Sequence, residues 1–151
     1  MMPRVSIQIE AEACDSSEVP DNKNFRHWAA AVINSSAEVG VRIVGSAEGR
    51  RYNRQYRHKD YATNVLSFPF TTHALEAQNY LGDILMTASV IVREAQEQNK
   101  PLLSHWAHLF IHALLHLQGH SHDNDISARK MQAQESKIMT NLGFSDPWSC
   151  N

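Results

Sequence analysis

His112-Ala113-Leu114-Leu115-His116-Leu117-Gln118-Gly119-His120-Ser121-His122 decides what kind of fold this chain adopts and where its chemistry lies. His112 and His116 are four residues apart, so on a helix they share one face. Two imidazoles at that spacing can grip one cation, and Leu114, Leu115 and Leu117 supply an apolar wall beside them. Gly119 follows the last residue of the helical pattern, where a left-handed conformation ends a helix and turns the chain back. That turn can carry His122 toward the same ion. Three imidazoles with one open position form the donor set of a catalytic zinc site, whereas four protein ligands would make a structural one. His112, His116 and His122 are therefore the candidate metal ligands. Zinc is the expected ion, and other divalent metals are compatible with a histidine-only set.

The surrounding histidines sharpen this picture. Of nine in the chain, six fall between His105 and His122. That many polar rings in one apolar stretch would be costly to bury without a purpose. His108 precedes His112 by four residues, so a fourth ligand is conceivable, but a ring that orients a ligand or simply packs fits an open site better. His120 competes with His122, and the spacing around Gly119 favours His122. His105 is expected at the surface. The zincin signature places Glu directly after the first histidine as general base. Ala113 stands there instead, which weakens peptide hydrolysis as an activity. A bound metal can still bring the pKa of water to ~7 without a neighbouring carboxylate.

Outward from this helix, the hydrophobic spacing predicts an α+β domain: a small mixed β-sheet packed with helices, with a zincin-like metal helix followed by a glycine turn. Val5, Ile7 and Ile9 alternate as a strand, and Pro20-Asp21-Asn22 breaks the chain. Phe25 to Ile33 recur at helical spacing, and Val39, Val41 and Ile43 form a second strand. Ser46 is the expected cap of a basic helix over 47–57. Asn64 to Phe68 read as a third strand that ends or lies at an edge by Pro69. A loop over 71–79 and a fourth strand over 80–86 follow; of the two readings of Asp83, a hydrogen-bond partner near the site or a turn with Gly82, the turn is the expected one. Three helices come next: one around Val90, Ile91 and Ala95, one over 102–118, and a polar one over 125–142 stopped by Gly143.

The 151 residues fit one domain, 1–151. Apolar residues at 42% and charged residues at 20% argue against disorder. No apolar run approaches a membrane span, and the first residues lack the apolar core of a signal peptide. Cys14 and Cys150 make no disulfide framework, so a reducing, cytoplasmic setting is expected. A net charge of -2 gives no global attraction to nucleic acid or membrane, so any such binding needs a local patch. One patch exists. Six of the 14 Lys and Arg lie between Arg42 and Lys59, with Glu48 the only acid among them. Most charge runs are solvated helix faces, and on these residues alone the choice between such a face and a nucleic-acid track stays open.

The motifs together resemble the YbeY family, the single-strand-specific endoribonucleases and rRNA maturation factors of bacteria. The resemblance runs from about the second strand to Trp148. It rests on the His112…His116…His122 array, on Thr63-Asn64-Val65-Leu66-Ser67-Phe68-Pro69, on Leu81-Gly82-Asp83-Ile84 and on the tail from Met131 through Glu135 to Leu142-Gly143-Phe144 and Asp146-Pro147. The chain departs from the family pattern at Ala62 (usually Pro), at Ala113 (usually Gly) and at His120-Ser121 (usually Tyr-Asp), and has fewer acids after His122.

The resemblance implies a metal-dependent hydrolase that cuts RNA, acting in maturation of the 16S rRNA 3′ end and in ribosome quality control, with the ribosome or its proteins as partners. It also implies that Arg57 is the functional arginine. A cation opposite the metal would stabilise charge growing on phosphate, and the planar fork of Arg suits two phosphate oxygens. Arg50, Arg51, Arg54, Arg57 and Lys59 would then track a single strand, with Tyr52 and Tyr56 stacking on bases. Arg54, Lys59, Asn64 and Ser67 complete the substrate-binding candidates. Two other classes compete: a different zinc hydrolase such as a peptidase, and a ribosome-binding factor whose metal is structural.

Overall fold

The computed structural model describes residues 3–9, 16–70 and 79–149. Cys14, Cys150 and nearly all of the expected 71–79 loop lie outside these. The alternating segments form strands β1 (Arg4–Ile9), β2 (Glu38–Val44), β3 (Val65–Pro69) and β4 (Tyr80–Thr87). Helices α1 (Asn22–Val32), α2 (Ser46–Arg57), α3 (Ala88–Glu97), α4 (Leu102–Leu117) and α5 (Asp125–Asn141) separate and follow them. The sheet order is β1-β2-β4-β3. β1, β2 and β4 run parallel, and β3 joins β4 antiparallel at the edge. This is the expected mixed sheet of an α+β fold. Among the described residues no helix is long and apolar enough to cross a membrane.

Strand alternation sends Val5, Val39, Val41, Ile43, Ile84 and Met86 to one face, where α1 and α4 cover them. Phe25 of α1 meets Trp106 and Phe110 of α4 edge-to-face, and Trp28 lies tilted against Phe110, all at most 2% exposed. Truncating one such aromatic to Ala typically costs ~3–5 kcal/mol. Helix α4 is buried nearly all round, so it is the centre of the domain rather than a surface helix. The opposite face of the sheet carries a smaller cluster, Val44, Leu66 and Leu85, packed against Tyr52 of α2 and Phe68.

Several local expectations change. Helix α2 begins at Ser46 itself, and its cap is Gly45, with no side-chain cap bond. Gly82-Asp83 makes no turn. Both lie inside β4, where Gly82 takes φ +148° and sits so close to the Phe68 carbonyl that a Cβ would collide with it. His105 is the clearest correction. It is 4% exposed, not at the surface, because the face of α4 that carries it packs against α3. Its Nε2 meets Glu94 at 3.0 Å. Burial lowers its pKa and outweighs the nearby carboxylate.

Candidate metal centre

Helix α4 is apolar on every side but one. His108, His112 and His116 form that remaining stripe at successive four-residue steps. The helix ends as its sequence demands. Gly119 takes φ +98°, its N–H reaches the His116 carbonyl at 3.0 Å, and the His120 N–H reaches the Leu115 carbonyl at 3.0 Å. This pair of bonds is the Schellman termination, which only a residue tolerant of left-handed φ accepts easily. The reversal returns the chain over the last turn of α4. His122 then lies beside the two helical histidines, with ring centroids 4.8 Å from His116 and 5.5 Å from His112.

One nitrogen from each of His112, His116 and His122 lies within 4.8 Å of the others. His116 Nε2 and His122 Nδ1 are 3.0 Å apart. Two nitrogens sharing a tetrahedral zinc at 2.0–2.1 Å would sit roughly 3.4 Å apart. The His116–His122 pair is therefore close to the spacing that a shared divalent ion needs, and a His112 nitrogen lies within 4.8 Å of both. Burial, and then the neighbouring rings of His112 and His122, lower the His116 pKa. The neutral imidazole is the form a metal ligand requires.

Glu135 of α5 holds the cluster from behind. It is fully buried and accepts three hydrogen bonds: from His108 Nε2, from His112 Nδ1 at 2.8 Å, and from Trp148 Nε1 at 3.1 Å. Burial alone would raise its pKa, but the bonds from His108 and His112 hold the carboxyl down to about 2. A carboxylate can only accept, so it places the proton of His112 on Nδ1 and leaves Nε2 bare for an ion. His108 thus touches the carboxylate and the Trp148 ring and stands outside the three-histidine cluster.

These histidines open onto a cavity of about 730 Å³ between α4, β3, the end of α2 and the C-terminal tail. Arg57, Asn64 and Ser67 line it with them, as do Tyr56, Ala113, Asp123 and Trp148. Residues 63–68 all face it in sequence, because β3 is an edge strand that turns its backbone toward the site. Asn64 is oriented by Glu94, which accepts from its amide nitrogen at 3.0 Å. The amide oxygen is thereby turned away from the carboxylate. Arg57 has no ion-pair partner among the described residues, whereas most of its basic neighbours do. Arg50 pairs with Asp60 through two bonds of 2.8 and 2.9 Å, Arg51 pairs likewise with Glu48, and Arg54 comes within 3.9 Å of Asp60.

The sequence model of the family described as Endoribonuclease YbeY matches residues 8–143. The chain belongs to that family. Endoribonuclease YbeY of Methylobacillus flagellatus is 45% identical over 149 residues, spanning 98% of this chain and 96% of its own. The protein of that name from Nitrosomonas eutropha is 46% identical over 136 residues, spanning 90% and 94%. The solution structure of TM1509 from Thermotoga maritima aligns over 96% of this chain and 99% of its own, with a TM-score of 0.58 at 21% identity. At that identity the likeness speaks for the fold.

Of the site residues expected from this YbeY-family sequence, the cavity gathers His112, His116, His122, Arg57, Asn64 and Ser67. Arg54 and Lys59 do not line it. They are exposed on the outer side of α2 and just beyond its end. Tyr52 is already engaged: the Arg51 guanidinium lies over its ring at 4.7 Å, Tyr56 stacks on it, and its hydroxyl accepts from Arg42. Tyr56 remains exposed. Sequence reasoning overlooked Glu135, Glu94 and Trp148. For Glu135 a signal existed: a carboxylate on the stripe Met131, Ile138, Met139 that α5 buries. The pairing of Glu94 with Asn64 joins residues 30 apart and left no local mark.

Proposed function

We propose that this chain is an endoribonuclease that cuts single-stranded RNA with one divalent ion, most simply zinc, held by His112, His116 and His122. The observation that carries this reading is the opening onto one cavity of the three-histidine cluster and of Arg57, which has no ion-pair partner among the described residues. Membership of a family described as endoribonucleases supports it. When bound, the ion supplies a Lewis acid and lowers the pKa of water to ~7. The chain does the rest. Glu135 keeps His112 in the ligating tautomer. Arg57 grips phosphate oxygens from the opposite wall and stabilises the charge that grows on them. Asn64, fixed by Glu94, and Ser67 hydrogen-bond the sugar or base beside the cut. Arg54 and Lys59, outside the cavity, hold neighbouring phosphates.

A single strand suits the aromatic rims Tyr56, Phe68 and Trp148, on which unstacked bases can lie. The resemblance of the motifs extends the proposal to maturation of the 16S rRNA 3′ end and ribosome quality control. In that setting the partners are the ribosome or its proteins, the location is the cytoplasm, and residues 1–151 act as one domain. Ala113 offers no base at the position a peptidase would use. The test pairs metal analysis with cleavage of a labelled single-stranded RNA by the wild type and His116→Ala. The variant is expected to lose both metal and cleavage while keeping its circular-dichroism spectrum. Undiminished cleavage by His116→Ala would refute the assignment.

A further inference from the structure

Tyr56 and Phe68 line a second groove as well as the metal cavity. This groove, about 530 Å³, lies on the α2 face of the sheet, the face opposite α1 and α4. Side chains that alternate away from the core form it: Ser6 and Gln8 from β1, Arg42 from β2, and Asp83 from β4. The two hollows therefore meet across one aromatic ridge, where Tyr56 packs edge-on to Phe68 at 5.1 Å and is 54% exposed.

The groove has a built floor. Asp83 is exposed and accepts a hydrogen bond from the Tyr80 hydroxyl through Oδ1. Burial first, and then the bond to Asp83, push the Tyr80 pKa up to about 12, so the hydroxyl remains a donor. Gly40 leaves the room these groups occupy: a Cβ there would collide with both the Asp83 carboxylate and the Tyr80 oxygen. Among the described residues no group donates to the other carboxylate oxygen of Asp83, which can accept from a ligand. A carboxylate repels phosphate but accepts well from the exocyclic amine of a base. The aromatic ridge gives that base a face to stack on.

We infer that this groove receives a base of the RNA strand a few nucleotides from the cut, after the strand crosses Tyr56 and Phe68, and that Asp83 selects a base bearing an exocyclic amino group. The inference rests on the proposed RNA cleavage in the metal cavity and adds a sequence preference to it. Strand length and composition separate the two.

The test uses the full chain carrying its metal and three labelled single-stranded RNAs. They share one cleavable centre, which is flanked by cytidines, flanked by uridines, or trimmed of flanks. The wild type is expected to cleave the cytidine-flanked RNA with a kcat/KM about tenfold above the uridine-flanked one, chiefly through KM. Asp83→Ala, which removes the acceptor, and Gln8→Trp, which fills the groove, are each expected to erase that advantage while cleaving the trimmed RNA at the wild-type rate. Equal cleavage of both flanked RNAs by the wild type would overturn the inference, as would an advantage that survives both variants. In those outcomes, continued cleavage of the trimmed RNA leaves the metal-cavity reading standing. Failure of the wild type to cleave any of the three overturns both.

Discussion

The two walls of the metal cavity differ in what holds their side chains. On the α4–α5 wall, His108 and His112 are both tied to Glu135, a fully buried carboxylate that also accepts from Trp148. At the α2 wall Arg57 reaches the cavity with no ion-pair partner among the described residues, while Arg50 and Arg51 of the same helix lie outside it, in water, paired with Asp60 and Glu48. The first wall must set nitrogen positions to a few tenths of an ångström, which burial and hydrogen bonding from behind achieve. The second has only to present charge to a flexible polyanion, and solvated side chains suffice. The neutralised pairs on α2 also show that a run of basic residues overstates the charge available for binding.

This contrast can be broken in order of effect. Arg57→Glu is expected to lower RNA cleavage by about 10²–10³-fold while metal content, measured by elemental analysis, stays at the wild-type level. Loss of metal in that variant would show that the walls are not separable. Glu135→Gln should do the reverse. Metal affinity in a chelator competition falls about 10–100-fold, with cleavage restored at high metal concentration. Unchanged affinity would deny Glu135 its orienting role. Arg50→Ala and Arg51→Ala are expected to change cleavage by less than about threefold, because acids already occupy those guanidinium groups. A larger loss would return them to the substrate path.

The smallest effect concerns pH and lies behind the site. Burial lowers the pKa of His105 below its ordinary 6.5, so the folded protein favours its neutral ring. Protonation then favours the unfolded chain. Stability from this residue is complete above the unfolded value of about 6.5 and declines as pH falls below it. Thermal melts of His105→Leu are expected to show a shallower acid decline than the wild type. Parallel curves would place the pH sensitivity elsewhere.

The order of strands and helices was legible because each element carries its own period: two for β1 and β2, three to four for α1, α4 and α5. The three histidines were legible for the same reason, since a helical repeat and a glycine turn are local facts. His105 was misplaced because its polarity suggests water, while its surroundings are set by α3, which packs across from it. Gly82-Asp83 was misread because a Gly-Asp pair usually turns. Here its neighbour across the ladder is Phe68, which leaves no space for a side chain. Ser46 was one residue off because Ser before a helix usually caps it, yet Gly45 took the extended cap conformation.

From the sequence alone came the elements, the metal-ligand candidates and the family resemblance, because periodicity, spacing and turn chemistry act over a few neighbouring residues. Only the tertiary structure decided which carboxylate stands behind His112, which acid occupies Arg50 while Arg57 has no ion-pair partner among the described residues, and that Tyr56 and Phe68 border two hollows at once. Those facts join residues 10 to 30 positions apart, such as Arg50 with Asp60, His112 with Glu135 and Asn64 with Glu94. Pairings at that distance are set by how helices and strands pack, and no short stretch of chain encodes them.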